Sequence, residues 1–346
     1  MVVRTINLAK NDIISATDTG LVRERNEDFC GIAETPNGLL CIVCDGMGGH
    51  AGGAEASHIA VNCFIHYFNK ERYADIRQAL SDAFDFANVQ IIGAASENPG
   101  LKGMGTTACV LLVQDDCVWL AHVGDSRIYL YVTKEKRLHR LTKDHSYVQG
   151  LIDQGVIYEE EAEHHPQKNR ILKALGIKED VLAEIVAHPV LPAQGDIFLI
   201  CTDGLSGMVS DKQIQKILSE DTGLQEKETD LMTAAKTAGG LDNITFQLVR
   251  ISQSLHKKSI FESKNIVASK NRKKHSWMKY SLFVVAGLII LITGLLLTGK
   301  SNPPQFEMPV APVDSTEIIN QQDTIPDTQI NPINPINSIN PSIDSI

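Results

Sequence analysis

What the chain has little of narrows its function first. Its 346 residues carry 32 Lys or Arg against 42 Asp or Glu, a formal net charge of −10. A nucleic-acid-binding surface needs a free basic patch, and the one basic stretch here lies beyond Ile251, so that class is disfavoured. Met1 to Lys10 lacks the long apolar core of a secretory leader, and none is expected there. Cysteines are few and odd in number: Cys30, Cys41, Cys44, Cys63, Cys109, Cys117 and Cys201. Cys41 and Cys44 form a C-x2-C, but the second pair of a structural zinc site is missing. Strand alternation would also point these two to opposite faces. Buried free thiols in a reducing compartment are the expected outcome.

What is present is aspartate at the mouths of apolar runs. Leu39 to Cys44 ends on Asp45, Val118 to Gly124 on Asp125, and Ile197 to Thr202 on Asp203; Asp242 stands ahead of Ile244 to Val249. One Asp-Gly, such as Asp45-Gly46 or Asp203-Gly204, reads equally well as a hairpin turn. Taken together, carboxylates drawn from the first 250 residues converge only if something offsets their repulsion, and a divalent cation cluster does so. Oxygen ligands without matching His or Cys partners point to Mg2+ or Mn2+ rather than zinc. Gly46 would let its own carbonyl approach an ion without a side chain in the way.

Six blocks then occur in order: Asp18-Thr19-Gly20-Leu21-Val22-Arg23-Glu24-Arg25-Asn26-Glu27-Asp28, Asp45-Gly46-Met47-Gly48-Gly49, Gly103-Met104-Gly105-Thr106-Thr107, Gly124-Asp125-Ser126-Arg127, Cys201-Thr202-Asp203-Gly204-Leu205 and Asp242-Asn243-Ile244-Thr245. From Asp18 to about Arg250 the chain resembles the metal-dependent Ser/Thr protein phosphatases known as PP2C or PPM, in their bacterial form. The resemblance implies that Asp45 bridges two metal ions, that the Gly46 carbonyl ligates one, and that Asp203 and Asp242 bind the other. It implies that Glu27 and Asp28 act mostly through metal-bound waters. Asp125, with Asp203, would hold a weaker third ion, and Arg23 would grip the substrate phosphate. The chemistry suits a phosphomonoester: a metal pair makes hydroxide from water at neutral pH and clamps phosphoryl oxygens, while an arginine offers a planar two-point donor. Neither a Cys-x5-Arg loop nor a Ser-His-Asp arrangement is needed to account for the motifs.

One position departs from the family. Animal members carry a histidine directly after the Asp-Gly pair, where it can protonate the leaving alkoxide; here that position is Met47. General acid catalysis is typically worth about 10²- to 10⁴-fold, so the role is replaced, done by a metal-bound water, or forgone. His50 is the nearest candidate for it, and a solvent-facing or helix-entry histidine is the competing reading.

Periodicity gives the layout. Ala54 to Phe68 and Ile76 to Ser96 are amphipathic, the second with Ile76, Leu80, Phe84, Ala87 and Ile91 on one face. Strands are expected at Leu39 to Cys44, Thr107 to Val113, Val118 to His122, Ile128 to Tyr131, Ile197 to Cys201 and Thr245 to Val249. Helical stretches that come in pairs between strands favour antiparallel sheets over a parallel arrangement. The expectation is α+β, an α-β-β-α sandwich of two antiparallel sheets flanked by helices, which agrees with the resemblance. The Gly103 to Thr107 block reads as support for a buried strand, and Ser126 and Arg127 as turn and pairing residues. Asp144 to Ile171, with Glu159-Glu160-Glu161 and His164-His165, corresponds to a flap beside the active site in similar phosphatases; the histidine pair reads as polar loop rather than metal ligand.

After Arg250 the composition changes. Residues 253–279 form a basic juxtamembrane linker, with Lys257, Lys258, Lys264, Lys270, Arg272, Lys273, Lys274 and Lys279 against Glu262 alone. Residues 280–299, Tyr280 to Gly299, carry no charge; at 1.5 Å per residue this helix would be about 30 Å long, enough for a bilayer core. Trp277 and Tyr280 suit the interface, and the basic flank favours a cytoplasmic N-terminal side. Residues 300–346 form an acidic tail with repeated Asn-Pro-Ile units, expected to be disordered outside the membrane.

The expectation for residues 1–252 is a phosphoprotein phosphatase, a single-pass membrane protein with a monomeric cytoplasmic catalytic domain using two Mg2+ or Mn2+ ions and in places a third. It would remove phosphate from Ser/Thr side chains placed by a partner kinase and opposed to it at the membrane. The alternatives are an inactive PP2C-like scaffold or sensor, which the intact Asp28, Asp45, Asp125, Asp203 and Asp242 argue against, and a dedicated phosphatase of an anti-sigma-pathway partner.

Overall fold

The computed structural model describes residues 2–8, 11–48, 52–114, 117–162 and 164–252. His50 and the basic linker, apolar helix and acidic tail read from the sequence lie outside the described residues. Among the described residues no helix is long and apolar enough to cross a membrane.

The chain opens with strands β1 (Val2–Leu8), β2 (Asn11–Asp18), β3 (Phe29–Thr35), β4 (Gly38–Cys44) and β5 (Gly46–Met47), then helices α1 (Gly52–Lys70) and α2 (Ile76–Glu97). Strands β6 (Gly105–Thr106), β7 (Ala108–Gln114), β8 (Cys117–Val123), β9 (Arg127–Val132) and β10 (Arg137–Arg140) follow. Short helices α3 (Tyr147–Asp153) and α4 (Glu159–Ala162), strands β11 (Glu184–Ile185) and β12 (Ile197–Cys201), helices α5 (Asp203–Ser206), α6 (Asp211–Ser219) and α7 (Leu224–Thr237), and strand β13 (Ile244–Ile251) complete it.

The strands form a six-stranded sheet, β1-β2-β13-β12-β9-β10, and a five-stranded sheet, β11-β8-β7-β4-β3, with β5 and β6 as a small ribbon. Each ladder is antiparallel. Side-chain alternation builds three layers of core. On β4, Leu40, Ile42 and Cys44 pack under α1 and α2, while Leu39, Cys41 and Val43 enter the space between the sheets. On β12, Phe198 and Ile200 join that central layer, while Ile197, Leu199 and Cys201 face α6 and α7. Strands buried on both faces read as continuous apolar runs, which is why β4, β7 and β12 were the plainest in the sequence. The α-β-β-α sandwich is the observed architecture.

Side-chain caps start α2, α3 and α6. The Asp75 side chain accepts from Gln78 N at 3.1 Å ahead of α2, and Ser210 with Gln213 forms a capping box ahead of α6. Cys41 and Cys44 fall in different core layers, as alternation requires, and none of the seven cysteines is in a disulfide. Burial pushes Cys63 up to about 11 and Cys201 to about 12, so these two are inert neutral thiols at physiological pH.

Candidate active site

Strand register explains why acids far apart in sequence meet. Cys44 at the end of β4 pairs with Phe29 at the start of β3, which puts Asp45 beside Asp28. Val123 at the end of β8 pairs with Ala108 at the start of β7, bringing Asp125 to the same edge. In the other sheet Cys201, ending β12, pairs with Phe246 near the start of β13, so Asp203 and Asp242 flank one another. Asp45 feels the charges of Asp28, Asp203, Asp125 and Asp242 together.

The surrounding hydrogen bonds hold these acids from behind. Asp45 N donates to Thr107 Oγ1 at 3.0 Å, and Asp45 O accepts from Thr107 N at 2.9 Å and Thr106 Oγ1 at 2.8 Å. Thr107 and Ser126 share a hydroxyl contact at 2.7 Å. The Gly103 to Thr107 block, read from the sequence as support for a buried strand, thus also holds Asp45. Thr202 Oγ1 donates to Asp28 Oδ2 at 2.9 Å. Asn243 accepts from Glu27 N at 2.8 Å and donates to the carbonyls of Arg25, at 2.8 Å, and Thr19, at 3.0 Å. One amide thus fixes the path of the whole loop between β2 and β3. Ser57 Oγ, from α1, donates to Glu27 O at 2.7 Å.

Gly46 sits where a Cβ would run into the backbone oxygens of Gly53 and Glu27, and at Gly204 a Cβ would meet Asn243 O. Only glycine allows these approaches. Arg127 grips Asp144 with Nε at 3.1 Å and Nη2 at 2.7 Å, and Arg140 holds the same carboxylate, so Arg127 is a pairing residue here. Between α3 and α4, Val156 and Tyr158 are exposed. The base of this flap-like segment is tied to the site through His145 N, which donates to Gly124 O at 2.9 Å.

The electrostatics show what the cluster can hold. Burial first, and then mutual repulsion, pushes Asp28, Asp45 and Asp125 well above the usual carboxylate range and Asp203 above it. Asp125 Oδ1 and Asp203 Oδ1 are buried oxygens with no hydrogen-bond partner. Buried carboxylates left so are costly unless a cation joins them. Arg23 is the cation that reaches in: its Nη2 donates to Asp242 Oδ2 at 2.8 Å, and its guanidinium is raised chiefly by that carboxylate, with Glu27 and Asp45 contributing. An acidic cage of oxygen donors with two orphaned oxygens fits hard divalent cations. The donors available are Asp45, the Gly46 carbonyl, Asp203, Asp242, Asp125, Glu27 and Asp28.

Sequence reasoning found the acids but missed their holders. Thr202 and Asn243 lay within recognised blocks, and a polar residue beside a required acid was the available signal. The Asp18–Lys236 pair, at 2.7 Å, joins β2 to the last turn of α7 and had no such signal.

Comparison with known proteins agrees with this geometry. The family described as Protein phosphatase 2C matches residues 22–239. The serine/threonine phosphatase stp of Listeria welshimeri is 38% identical over 239 residues, covering 67% of this chain and 93% of that protein. The Streptococcus agalactiae serine/threonine phosphatase structure has a TM-score of 0.65 at 35% identity, covering 70% of this chain and 100% of that one. The catalytic domain of the serine/threonine protein phosphatase PstP, solved with two manganese ions, aligns at a TM-score of 0.61 and 33% identity, covering 70% of this chain and 99% of that one. The chain belongs to the protein phosphatase 2C family, metal-dependent Ser/Thr protein phosphatases.

Proposed function

We propose that this chain hydrolyses phosphoserine and phosphothreonine in proteins, with Asp45, the Gly46 carbonyl, Asp203 and Asp242 holding two Mg2+ or Mn2+ ions. Glu27 and Asp28 would act through waters around such ions, and Asp125 with Asp203 would hold a third. Bound there, such ions lower the pKa of a coordinated water and neutralise charge on the phosphoryl group. Arg23 binds the phosphate: it stands at the solvent-facing rim, its guanidinium already drawn toward the carboxylates. Thr107, Thr202 and Asn243 keep the acids in place so that little reorganisation accompanies binding. Met47 supplies no proton, so general-acid help to the leaving serine or threonine oxygen would come from His50 or from a metal-bound water, or would be forgone.

The observation that carries this reading is the pair of orphaned oxygens, Asp125 Oδ1 and Asp203 Oδ1, inside a cluster of mutually repelling acids. A scaffold with no chemistry has no reason to keep all five aspartates. The membrane tether at residues 280–299 and the outward acidic tail belong to the same proposal, supported by the charge asymmetry of the sequence; a kinase opposing the enzyme there is part of it too. The test is hydrolysis of p-nitrophenyl phosphate and of a phosphothreonine peptide by the full chain, with and without Mn2+. Mn2+-dependent release of phosphate from both is expected; release insensitive to chelation, or none with saturating Mn2+, overturns the proposal.

A further inference from the structure

Outside the carboxylate cluster, two histidines and a glutamate meet at the end of β8. His122 lies on the face that carries Val118 and Leu120 into the central core layer, and the β8–β11 register sets Glu184 directly opposite it. The ring of His145, from the segment ahead of α3, stacks on that of His122 with centroids 4.8 Å apart and planes 14° off parallel. His145 Nε2 is 3.5 Å from Glu184 Oε2. One ligand atom from each of the three lies within 4.8 Å of the others. His122 is buried, while Glu184 is largely exposed, so the group opens to solvent on the glutamate side.

The proton on His122 is already placed for ligation. His122 Nε2 meets Lys143 O at 2.8 Å; a carbonyl only accepts, so that nitrogen holds the proton and Nδ1 keeps its lone pair. A ligating histidine is typically oriented this way, with its other N–H on a carbonyl. Burial, then the neighbouring His122 and Lys173, depresses His145 to about 4, and burial lowers His122, so both rings are neutral at physiological pH. The group has two imidazole nitrogens and one carboxylate, where the catalytic cluster has oxygens alone.

We propose that His122, His145 and Glu184 form a separate site for a transition-metal ion of the zinc type, open to water at its fourth position. Three protein ligands of the His2Glu kind suit tetrahedral Zn2+, whereas Mg2+ and Mn2+ prefer the oxygen cage. Tetrahedral Zn2+ with ligand distances of about 2.0–2.2 Å draws its donors closer than they stand, and the exposed Glu184 side chain on a two-residue strand can close that gap. Gly124 N–H reaches His145 Nδ1 at 3.2 Å, which places the ring proton on Nε2, facing Glu184. Metal at Nε2 moves that proton to Nδ1 and displaces the Gly124 contact, with the ring's proton count unchanged. Because Gly124 precedes Asp125, the new site adjoins the backbone of the catalytic cluster without sharing a ligand.

The full chain, saturated with Mn2+ to fill the oxygen cage, is titrated with Co2+ as a visible probe for zinc. One further equivalent should bind with the strong absorption of a tetrahedral, nitrogen-ligated cobalt, and Zn2+ should bleach it. Glu184→Ala should weaken binding at least tenfold while leaving Mn2+-dependent hydrolysis unchanged, and His145→Asn should remove the signal. Weak octahedral absorption that disappears with excess Mn2+ places the cobalt in the carboxylate cage and overturns the proposal. Undiminished affinity in Glu184→Ala overturns it too. The readout is binding, so it stands or falls apart from the phosphatase reading.

Discussion

Arg23 and Asp242 form an ion pair at 2.8 Å across 219 residues of sequence, joining the loop before β3 to the start of β13. Arg23 therefore does two things: it presents donors to a phosphate and partly neutralises an acid of the cage. Its side chain is 55% exposed, so the pair itself adds little stability.

That dual position gives a split between kinetic parameters. Arg23→Ala removes phosphate binding made in ground and transition states alike, so KM for a phosphothreonine peptide should rise about tenfold or more with a smaller change in kcat. It also frees Asp242, so the Mn2+ concentration at half-activity should stay level or fall. Steady-state kinetics over a Mn2+ series measures both. An unchanged KM would remove Arg23 from phosphate binding, and a clearly raised Mn2+ requirement would mean that its pairing with Asp242 favours metal binding.

The cage should trade stability for function. Asp203 is buried among like charges, with Oδ1 unpartnered. Asp203→Asn removes one charge, so without divalent metal its melting temperature should equal or exceed that of the parent chain, because repulsion and desolvation are relieved. With Mn2+ the order should reverse: the parent should gain stability by ligand linkage, and the variant should gain little and lose hydrolysis. Thermal denaturation with and without Mn2+ decides this. A variant markedly less stable than the parent in chelator would mean that Asp203 is held by structure rather than waiting for a cation.

How much of this was legible follows from where each signal sits. Asp45, Asp125 and Asp203 stand out because each ends a strand buried on both faces, and an acid closing an apolar run is visible locally. The central strands were legible for the same reason. β1 and β2 were not: Arg4, Thr5, Asn7, Asp12, Ser15 and Thr17 break the apolar pattern, and the hairpin becomes clear only through its pairing with β13. Helix α6 is short, at 9 residues, yet the Ser210 and Gln213 capping box was a readable start for it. Asn243 was visible as a motif residue, but that it clamps Arg25, Glu27 and Thr19 depends on a loop 216 or more residues away. The His122–His145 stack depends likewise on a segment that folds back onto the end of β8.

Asp18 provides a pH test on a carboxylate held by a lysine rather than crowded by other acids. Burial raises its carboxyl, but Lys236 Nζ at 2.7 Å and Gly20 N at 2.9 Å outweigh that, and its pKa ends below the ordinary 3.8. A depressed folded-state pKa contributes stability that is fully present above the unfolded value and disappears as pH falls through the folded one. Asp18→Asn should therefore cost roughly 1–2 kcal/mol near neutrality, and the gap to the parent chain should shrink below about pH 4. Urea midpoints of both proteins in chelator at pH 7, 5 and 3.5 give the comparison. A gap that widens toward acid would mean that Asp18 is protonated in the folded state.

The last prediction concerns the residues beyond the catalytic domain. We expect residues 1–252 on the reducing side of the membrane, because their buried cysteines form no disulfide, and the basic run from Lys257 to Lys279 favours keeping that side of Tyr280 to Gly299 in the cytoplasm. The tail from Ser301 has no Lys or Arg, so nothing of that kind opposes its translocation. Domain and tail should then lie on opposite faces of the membrane. Protease added to intact spheroplasts should remove the tail and spare the catalytic domain, and a reporter that works only in the cytoplasm should be silent when fused after Ile346. An active reporter at that position, or digestion of residues 1–252 with the tail spared, would reverse the assigned orientation. Recovery of the intact chain in the soluble fraction would remove the membrane anchor altogether.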